Sequence, residues 1–253
     1  MTDIIFCGIN GRMGQAVEEI IKEKEGFRIV AGVDVNTVRR SDYPVYSKIS
    51  EVSESADVIV DFSFHAALPE YLEYAKVRHL PIVVSTTGHT PEETALMHEY
   101  AKSIPVFFSR NMSIGINLLI ELSKKACAML GDDFDIEIIE AHHNKKLDAP
   151  SGTALMIADA ISEALEAKPE YVYDRTERRE KRPKNEIGIH AVRAGGIVGE
   201  HSVLFGGQNE SVTISHSAFS RSVFALGAVR AAEFMVGMPA GMYSMSDLIA
   251  NIT

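Results

Sequence analysis

The sequence predicts an α/β protein: a parallel sheet with helices, into which a second, α+β region with a mixed sheet is inserted. Three observations predict it. From residue 4 to residue 108, short apolar runs alternate with stretches of helical period, the pattern of successive βαβ units. The first run is followed by Gly8-Ile-Asn-Gly11-Arg-Met-Gly14, a glycine-rich turn that opens a helix. Beyond residue 185 the apolar runs are separated by glycine turns with no room for helices, which calls for antiparallel or mixed pairing.

Taken in order, Ile4 to Cys7 is a strand, and Val17, Ile20 and Ile21 mark the helix after the glycine turn. The first glycine permits the tight turn, the middle one lets backbone approach a pyrophosphate, and the last permits close helix–strand packing. The spacing is G-x-x-G-x-x-G, which an ordinary βα turn can also carry. A second strand, Phe27 to Val33, ends in Asp34, about twenty residues on, where a carboxylate can bond ribose hydroxyls. Together these predict a Rossmann-type dinucleotide-binding domain. Val58 to Val60, Pro81 to Val84 and Pro105 to Phe108 read as further strands; Leu68 to Val77 and Pro91 to Lys102 read as helices. Small polar residues follow consecutive strand ends: Asp61-Phe-Ser, Ser85-Thr86-Thr87-Gly88 and Ser109-Arg110-Asn111-Met112. In an open parallel sheet, ligands bind outside those ends.

Ile114 to Leu130 reads as a long helix closed by Gly131. Lys168 to Asn185 is charged, with little apolar content, and reads as an exposed flexible loop. Gly188 to Ala194, Gly196 to Phe205 and Ser211 to His216 are strand-like, with Gly206 to Glu210 as a hairpin loop. Phe224 to Met235 is helical, and Ser246 to Ile252 is a short tail.

Chemistry concentrates in Glu140-Ala-His-His-Asn-Lys-Lys-Leu-Asp-Ala-Pro-Ser-Gly-Thr-Ala154. A strand, Ile136 to Ile139, leads into it and a helix, Ala154 to Leu165, leads out. His142, His143, Lys145, Lys146 and Asp148 crowd the loop, and Ser151, Gly152 and Thr153 stand where the helix leaves its first N–H groups without helical partners. Such an end seats a carboxylate or phosphate, and imidazole beside ammonium can move a proton. Other readings compete: Ser151 or Thr153 as a plain cap, the cations as a solvated loop, the adjacent histidines as metal ligands lacking an evident third.

The formal net charge of −10 disfavours nucleic acid and anionic membrane as partners, and makes a local basic site more telling. Cys7 and Cys127 each lie in apolar runs and read as buried hydrophobes in a reducing compartment. No apolar run is long enough to span a bilayer, and the first residues lack signal-peptide character. A cytoplasmic protein without nucleic-acid or membrane partners is expected.

With these motifs laid out, the chain resembles the dihydrodipicolinate reductase family of bacterial lysine biosynthesis over essentially its whole length. The Gly8–Gly14 turn, Ser85-Thr-Thr-Gly88, Asn111-Met-Ser-Ile-Gly115, the central stretch, Arg193-Ala-Gly-Gly-Ile-Val-Gly-Glu-His201 and Ser220-Arg-Ser-Val-Phe-Ala225 carry the resemblance. It implies an NAD(P)H-dependent 4-hydroxy-tetrahydrodipicolinate reductase, acting on a cyclic dicarboxylate and assembled as a homotetramer through the mixed sheet. It implies His142 as general acid/base with Lys146 as its partner donor, and substrate binding by His143, Gly152 and Thr153. Cofactor contacts would come from Gly8, Ile9, Asn10, Gly11, Arg12, Met13, Asp34, Ser85, Thr86, Thr87, Ser109, Arg110, Asn111 and Met112; no metal is implied. The expected division is a dinucleotide domain of residues 1–111 completed by 223–253, and a substrate and oligomerisation domain of 112–222.

Val35 after Asp34, Phe64-His65 after Asp61-Phe-Ser, and Ser217 after His216 depart from the family pattern. Asp34 favours NADH, whereas Arg12, Arg39 and Arg40 could answer a 2′-phosphate, so both NAD and NADP are expected, with NADH at least as good. A dehydrogenase acting on an amino acid such as aspartate, and a dinucleotide-sensing protein without catalysis, are the rival readings.

Overall fold

The continuous apolar run Ile4 to Cys7 is wholly buried, as expected of a strand covered on both faces. It belongs to β1 (Thr2–Cys7), the centre of a parallel sheet. The computed structural model describes residues 1–252, and the chain forms two compact units: Met1–Ile114 joined by the segment from Arg221 onward, and Gly115–Ser220.

In the first unit β1 is followed by α1 (Arg12–Glu23), β2 (Phe27–Val33), β3 (Val45–Tyr46), β4 (Val58–Asp61), α2 (Leu68–Arg78), β5 (Ile82–Val84), α3 (Pro91–Tyr100) and β6 (Pro105–Phe108). The strands lie in the order β12-β6-β5-β4-β1-β2-β3 and all pair in parallel, β12 being the late strand Gly241–Tyr243. Alternation along the strands sorts the core into two layers. Ile4, Phe6, Val60 and Phe107 pack on the side of α1 and of α6 (Ser222–Met235). Ile5, Cys7, Ile59 and Val106 pack on the side of α2 and α3. Thr90 and Glu93 close α3 with a reciprocal capping box, and Pro91 occupies its first turn.

The second unit holds α4 (Ile114–Leu130) beyond its first residue, β7 (Asp135–His142), α5 (Gly152–Glu163), β8 (Glu170–Val172), β9 (Glu186–Arg193), β10 (Gly199–Gly206) and β11 (Ser211–Ala218). Its sheet runs β11-β10-β7-β9-β8. The β10 pairings are antiparallel, whereas β7–β9 and β8–β9 are parallel, so the sheet is mixed. α4 and α5 cover one face through Ile116, Leu119, Ile120, Ile157 and Ile161 against Ile136, Ile138 and Val203. Cys7 and Cys127 are both free and buried. Among the described residues no helix is long and apolar enough to cross a membrane.

Differences from the expected elements have local causes. β3, β8 and β12 are two or three residues long, too short for a period to show. The tail read as short is a helix, α7 (Met245–Ile252), with Met245 and Leu248 buried in the core of the first unit. The charged run 168–185 contains β8 and is more than a solvated loop. Arg175 and Arg178 both pair with the buried Glu186, and Arg182 bonds Asp135, Glu137 and the carbonyls of Ile136 and Glu186. These arginines satisfy carboxylates and carbonyls at one end of the sheet.

α6 approaches the chain at Met112 closely enough that only glycine fits. A Cβ on Gly227 would lie 1.7 Å from the Met112 carbonyl oxygen. Gly227→Ala is expected to destabilise the protein by more than about 2 kcal/mol despite the better helix propensity of alanine, read as a fall in thermal midpoint of several degrees.

Candidate active site

In the first unit the chain leaves β1 for β2 and β3 on one side, then returns to place β4, β5 and β6 on the other. The strand order therefore reverses between β1 and β4, the position where open parallel sheets bind ligands. A cavity of about 440 Å³ lies at this switch point, lined among others by Gly8, Gly11, Asp34, Lys48, Phe62 and Phe64. Gly8 has φ +82°, and a Cβ there would meet the Phe62 carbonyl at 2.6 Å. A Cβ on Gly14 would lie 2.2 Å from the Ile9 carbonyl, so this glycine lets α1 close on the turn. Gly11 is the N-cap of α1; no side chain caps this helix, and its first turn holds no acid. Exposed amides at the positive end of a twelve-residue helix suit a pyrophosphate, so the residues present fit a dinucleotide.

Asp34 is held rather than loose: its Oδ2 accepts from the Asn10 amide and its Oδ1 from the Asn36 amide, each at 2.9 Å. Carboxylate oxygens retain acceptor capacity beyond two such bonds. Arg12 is exposed at the start of α1. Arg39, expected near a 2′-phosphate, is instead committed to the carbonyls of Ser41 and Asp42. Lys48, which sequence reasoning passed over, lines the cavity.

The other expected cofactor residues divide by burial. Ile9 and Met112 are 2% and 3% exposed and pack their side chains in the core, which leaves their main chain as the part that could meet a ligand. Met13 also packs against that core. Thr86 donates from Oγ1 to the buried Asp61 at 2.8 Å, while Ser85 is buried and Thr87 exposed. Burial raises the Asp61 carboxyl above its ordinary value, opposed by hydrogen bonds from Ser63 and Thr86. Ser109 Oγ donates to the Asn111 carbonyl at 2.7 Å, Asn111 Oδ1 accepts from the Ser113 amide, and Arg110 is exposed.

In the second unit the buried positions of β7 are Ile136, Ile138, Glu140 and His142. The last two put ionisable groups in register with core isoleucines. Glu140 is completely buried, and its Oε2 lies 2.6 Å from His142 Nδ1. Arg193, opposite His142 on β9, reaches both Glu140 oxygens at 2.7 and 2.8 Å, and Oε1 also accepts from the Ser151 amide at 3.0 Å. Burial alone would raise the Glu140 carboxyl, but Arg193, His142 and Ser151 together hold it below its ordinary value.

Ser151 is the N-cap of α5: its Oγ accepts from the Ala154 amide at 3.1 Å and lies 3.2 Å from His201 Nε2. The cap is thus Ser151, which leaves Gly152 and Thr153 as the first helical residues. His201 stands edge-on to His142 with ring centroids 5.2 Å apart, and burial lowers its pKa to about 3. Lys146 Nζ pairs with Asp148 Oδ2 at 2.9 Å, and the partly buried His143 lies on the same loop. A Cβ on Gly199 would sit 3.2 Å from His142 Nε2, so this glycine leaves room beside that nitrogen.

The structure therefore brings His142, His143, Lys146, Gly152 and Thr153 onto one loop and helix start. Glu140, Arg193, Gly199 and His201 were missed as site residues. The available signal was a charge at a core-facing strand position, which must find a buried partner.

Comparison with known proteins bears on both units. The family model described as dihydrodipicolinate reductase, N-terminus, matches residues 2–112, and that described as dihydrodipicolinate reductase, C-terminus, matches residues 115–249. A 4-hydroxy-tetrahydrodipicolinate reductase of Caldanaerobacter subterraneus subsp. tengcongensis is 55% identical over 249 residues, covering 98% of each chain. One from Clostridium tetani is 47% identical, covering 98% of this chain and 97% of the relative. A dipicolinate-bound dihydrodipicolinate reductase from a Paenisporosarcina species superposes with a TM-score of 0.81 at 25% identity, over 96% of this chain and 97% of that one.

The buried neutral state of His201 has a pH consequence. Its folded pKa lies below its unfolded one, so between pH 6.5 and about 3 the unfolded chain binds the proton that the native chain refuses, and stability falls as pH falls. From pH 7 to pH 5 this contributes a loss of about 2 kcal/mol. His201→Gln is expected to flatten that slope, measured as urea midpoints at the two pH values.

Proposed function

Because the chain belongs to the dihydrodipicolinate reductase family, we propose that it reduces 4-hydroxy-tetrahydrodipicolinate to tetrahydrodipicolinate with NAD(P)H, in the route to diaminopimelate and lysine. One observation carries the chemical part of this reading. A buried imidazole bonded to a carboxylate, a lysine and a helix start share the twelve residues from His142 to Thr153.

When bound, the nicotinamide cofactor supplies a hydride. The residues of the chain handle charge and protons. Gly152 and Thr153, at the positive end of α5, seat one substrate carboxylate, with His143 beside them. His142 donates the proton that neutralises charge developing on the ring, and Lys146 supplies the second cationic donor. Asp148, paired with Lys146, keeps that ammonium on the loop until substrate competes for it. The mixed sheet leaves Ile139 and Val192 exposed, 41% and 46%, which supports assembly of copies into a homotetramer. A localisation in the cytoplasm is consistent with a biosynthetic reductase.

The direct test supplies the product of dihydrodipicolinate synthase and follows NADH absorbance. His142→Gln and Lys146→Ala should each lower turnover about 100-fold or more, with cofactor affinity nearly unchanged. Near-normal turnover of either variant at saturating substrate removes that residue from the mechanism.

Cofactor use follows from the cavity at the switch point. Asp34 faces the ribose hydroxyls of NADH, while Lys48 in the cavity wall and the exposed Arg12 at the start of α1 offer charge to a 2′-phosphate, so both cofactors serve and NADH is at least as good. Asp34→Ala should weaken NADH and spare NADPH. Lys48→Ala should cost NADPH several-fold more than NADH at low salt, because an exposed cation is screened as salt rises. The readout is kcat/KM for both cofactors at two ionic strengths; a strong NADPH preference of the unaltered enzyme that survives added salt contradicts this assignment.

A further inference from the structure

Glu140 occupies a position whose neighbours in register, Ile136 and Ile138, are core. A carboxylate without partners there would cost several kcal/mol. Arg193 answers its formal charge with a two-pronged bond, yet a carboxylate can accept more than an arginine fork provides. Among the described residues, the remaining capacity goes to the Nδ1 of His142 and the amide of Ser151. A carboxylate accepts and cannot donate, so Nδ1 carries a hydrogen in either charge state of the ring. The nitrogen whose proton comes and goes is then Nε2, the one beside Gly199.

The same two residues also hold the loop. Glu140 binds the amide of Ser151, and Arg193 Nη2 donates to the Asp148 carbonyl at 2.7 Å. The loop bearing His143 and Lys146 is thus tied at Asp148 and Ser151 to the strands that carry His142 and Arg193.

We propose that Glu140 and Arg193 are positioning residues for the reduction: Glu140 fixes the His142 hydrogen on Nδ1 and so assigns proton transfer to Nε2, while Arg193 moderates the charge that Glu140 presents to the ring. The proposal rests on the catalytic reading of His142. Besides these two, His201 on β10 stands edge-on to the ring and is neutral, and the following loop carries His143 and the paired Lys146 and Asp148. Removing the negative neighbour disfavours the imidazolium; removing Arg193 leaves the carboxylate free to favour it. The two changes therefore move the titration of His142 in opposite directions, which a scaffolding role alone would not do.

The experiment records the pH dependence of kcat/KM for the unaltered enzyme, Glu140→Gln and Arg193→Gln, with NADH dissociation constants by fluorescence and His142→Gln as control. Glu140→Gln should lower kcat about 10- to 100-fold, the effect of losing an outer partner that orients a functional histidine, with NADH binding unchanged. Its alkaline limb should move to lower pH by about one unit, and that of Arg193→Gln to higher pH. Limbs that stay in place, or move in the same direction, overturn the proposal, as does a full kcat for Glu140→Gln. Should Glu140→Gln fail to fold, Arg193→Gln decides alone: an upward shift supports the assignment, and no shift or a downward one overturns it. If His142→Gln itself retains turnover, the catalytic reading of His142 is what fails, whatever the limbs do.

Discussion

The second unit is arranged around a single buried negative charge. Glu140 has no exposure to water, and Arg193, the Ser151 amide and the His142 ring together sustain its ionised state against burial. Those partners come from β9, from the start of α5 and from the same strand. The parallel pairing of β7 with β9 sets Arg193 opposite His142, and the buried parity of β7 puts Glu140 and His142 on one side. Sheet register thus becomes site geometry, and a one-residue slip of β7 would turn both groups to the other face.

The first unit meets a related demand with main-chain groups. Its parts that face a ligand are amides at the start of α1, kept accessible by glycines whose Cβ atoms would collide with carbonyls of the turn or of the β4 end. Asp34 is oriented by the amides of Asn10 and Asn36, so the glycine turn and the β2 end are set relative to each other before any ribose arrives. Asp61, buried at the end of β4, similarly takes hydrogen bonds from Ser63 and from Thr86 beyond β5. In both units a carboxylate of the candidate site also holds the polypeptide in place.

Strands and helices that bury a complete period were legible from residue types alone. Phe27–Val33, Pro105–Phe108 and Ile114–Leu130 have the bounds that their apolar patterns indicate. β3, β8 and β12 were not, because two or three residues carry no period and exist only as edges paired to longer neighbours. The central loop announced itself by crowding histidine, lysine and a helix start into a few residues. Its supports lie about fifty residues away: Arg193 and His201 become neighbours of His142 only through β9 and β10, a relation that local spacing does not encode. Arg39 shows the converse, a residue close in sequence to Asp34 whose guanidinium is drawn off by the carbonyls of Ser41 and Asp42.

The core of the first unit includes Ala225, Ala228, Val229, Ala232 and Met235 of α6, and Met245 and Leu248 of α7, against Phe6, Val60 and Phe107. Residues 115–220, which separate the two parts, are all synthesised before those covering residues appear. At ordinary rates of translation that interval is roughly 5–20 s, during which α1 is the helix available to cover that face of the parallel sheet. The second unit, whose residues form one uninterrupted stretch, can close its core within that time. The middle of the nascent chain can therefore be complete before its beginning, whose core waits for the α6 and α7 side chains.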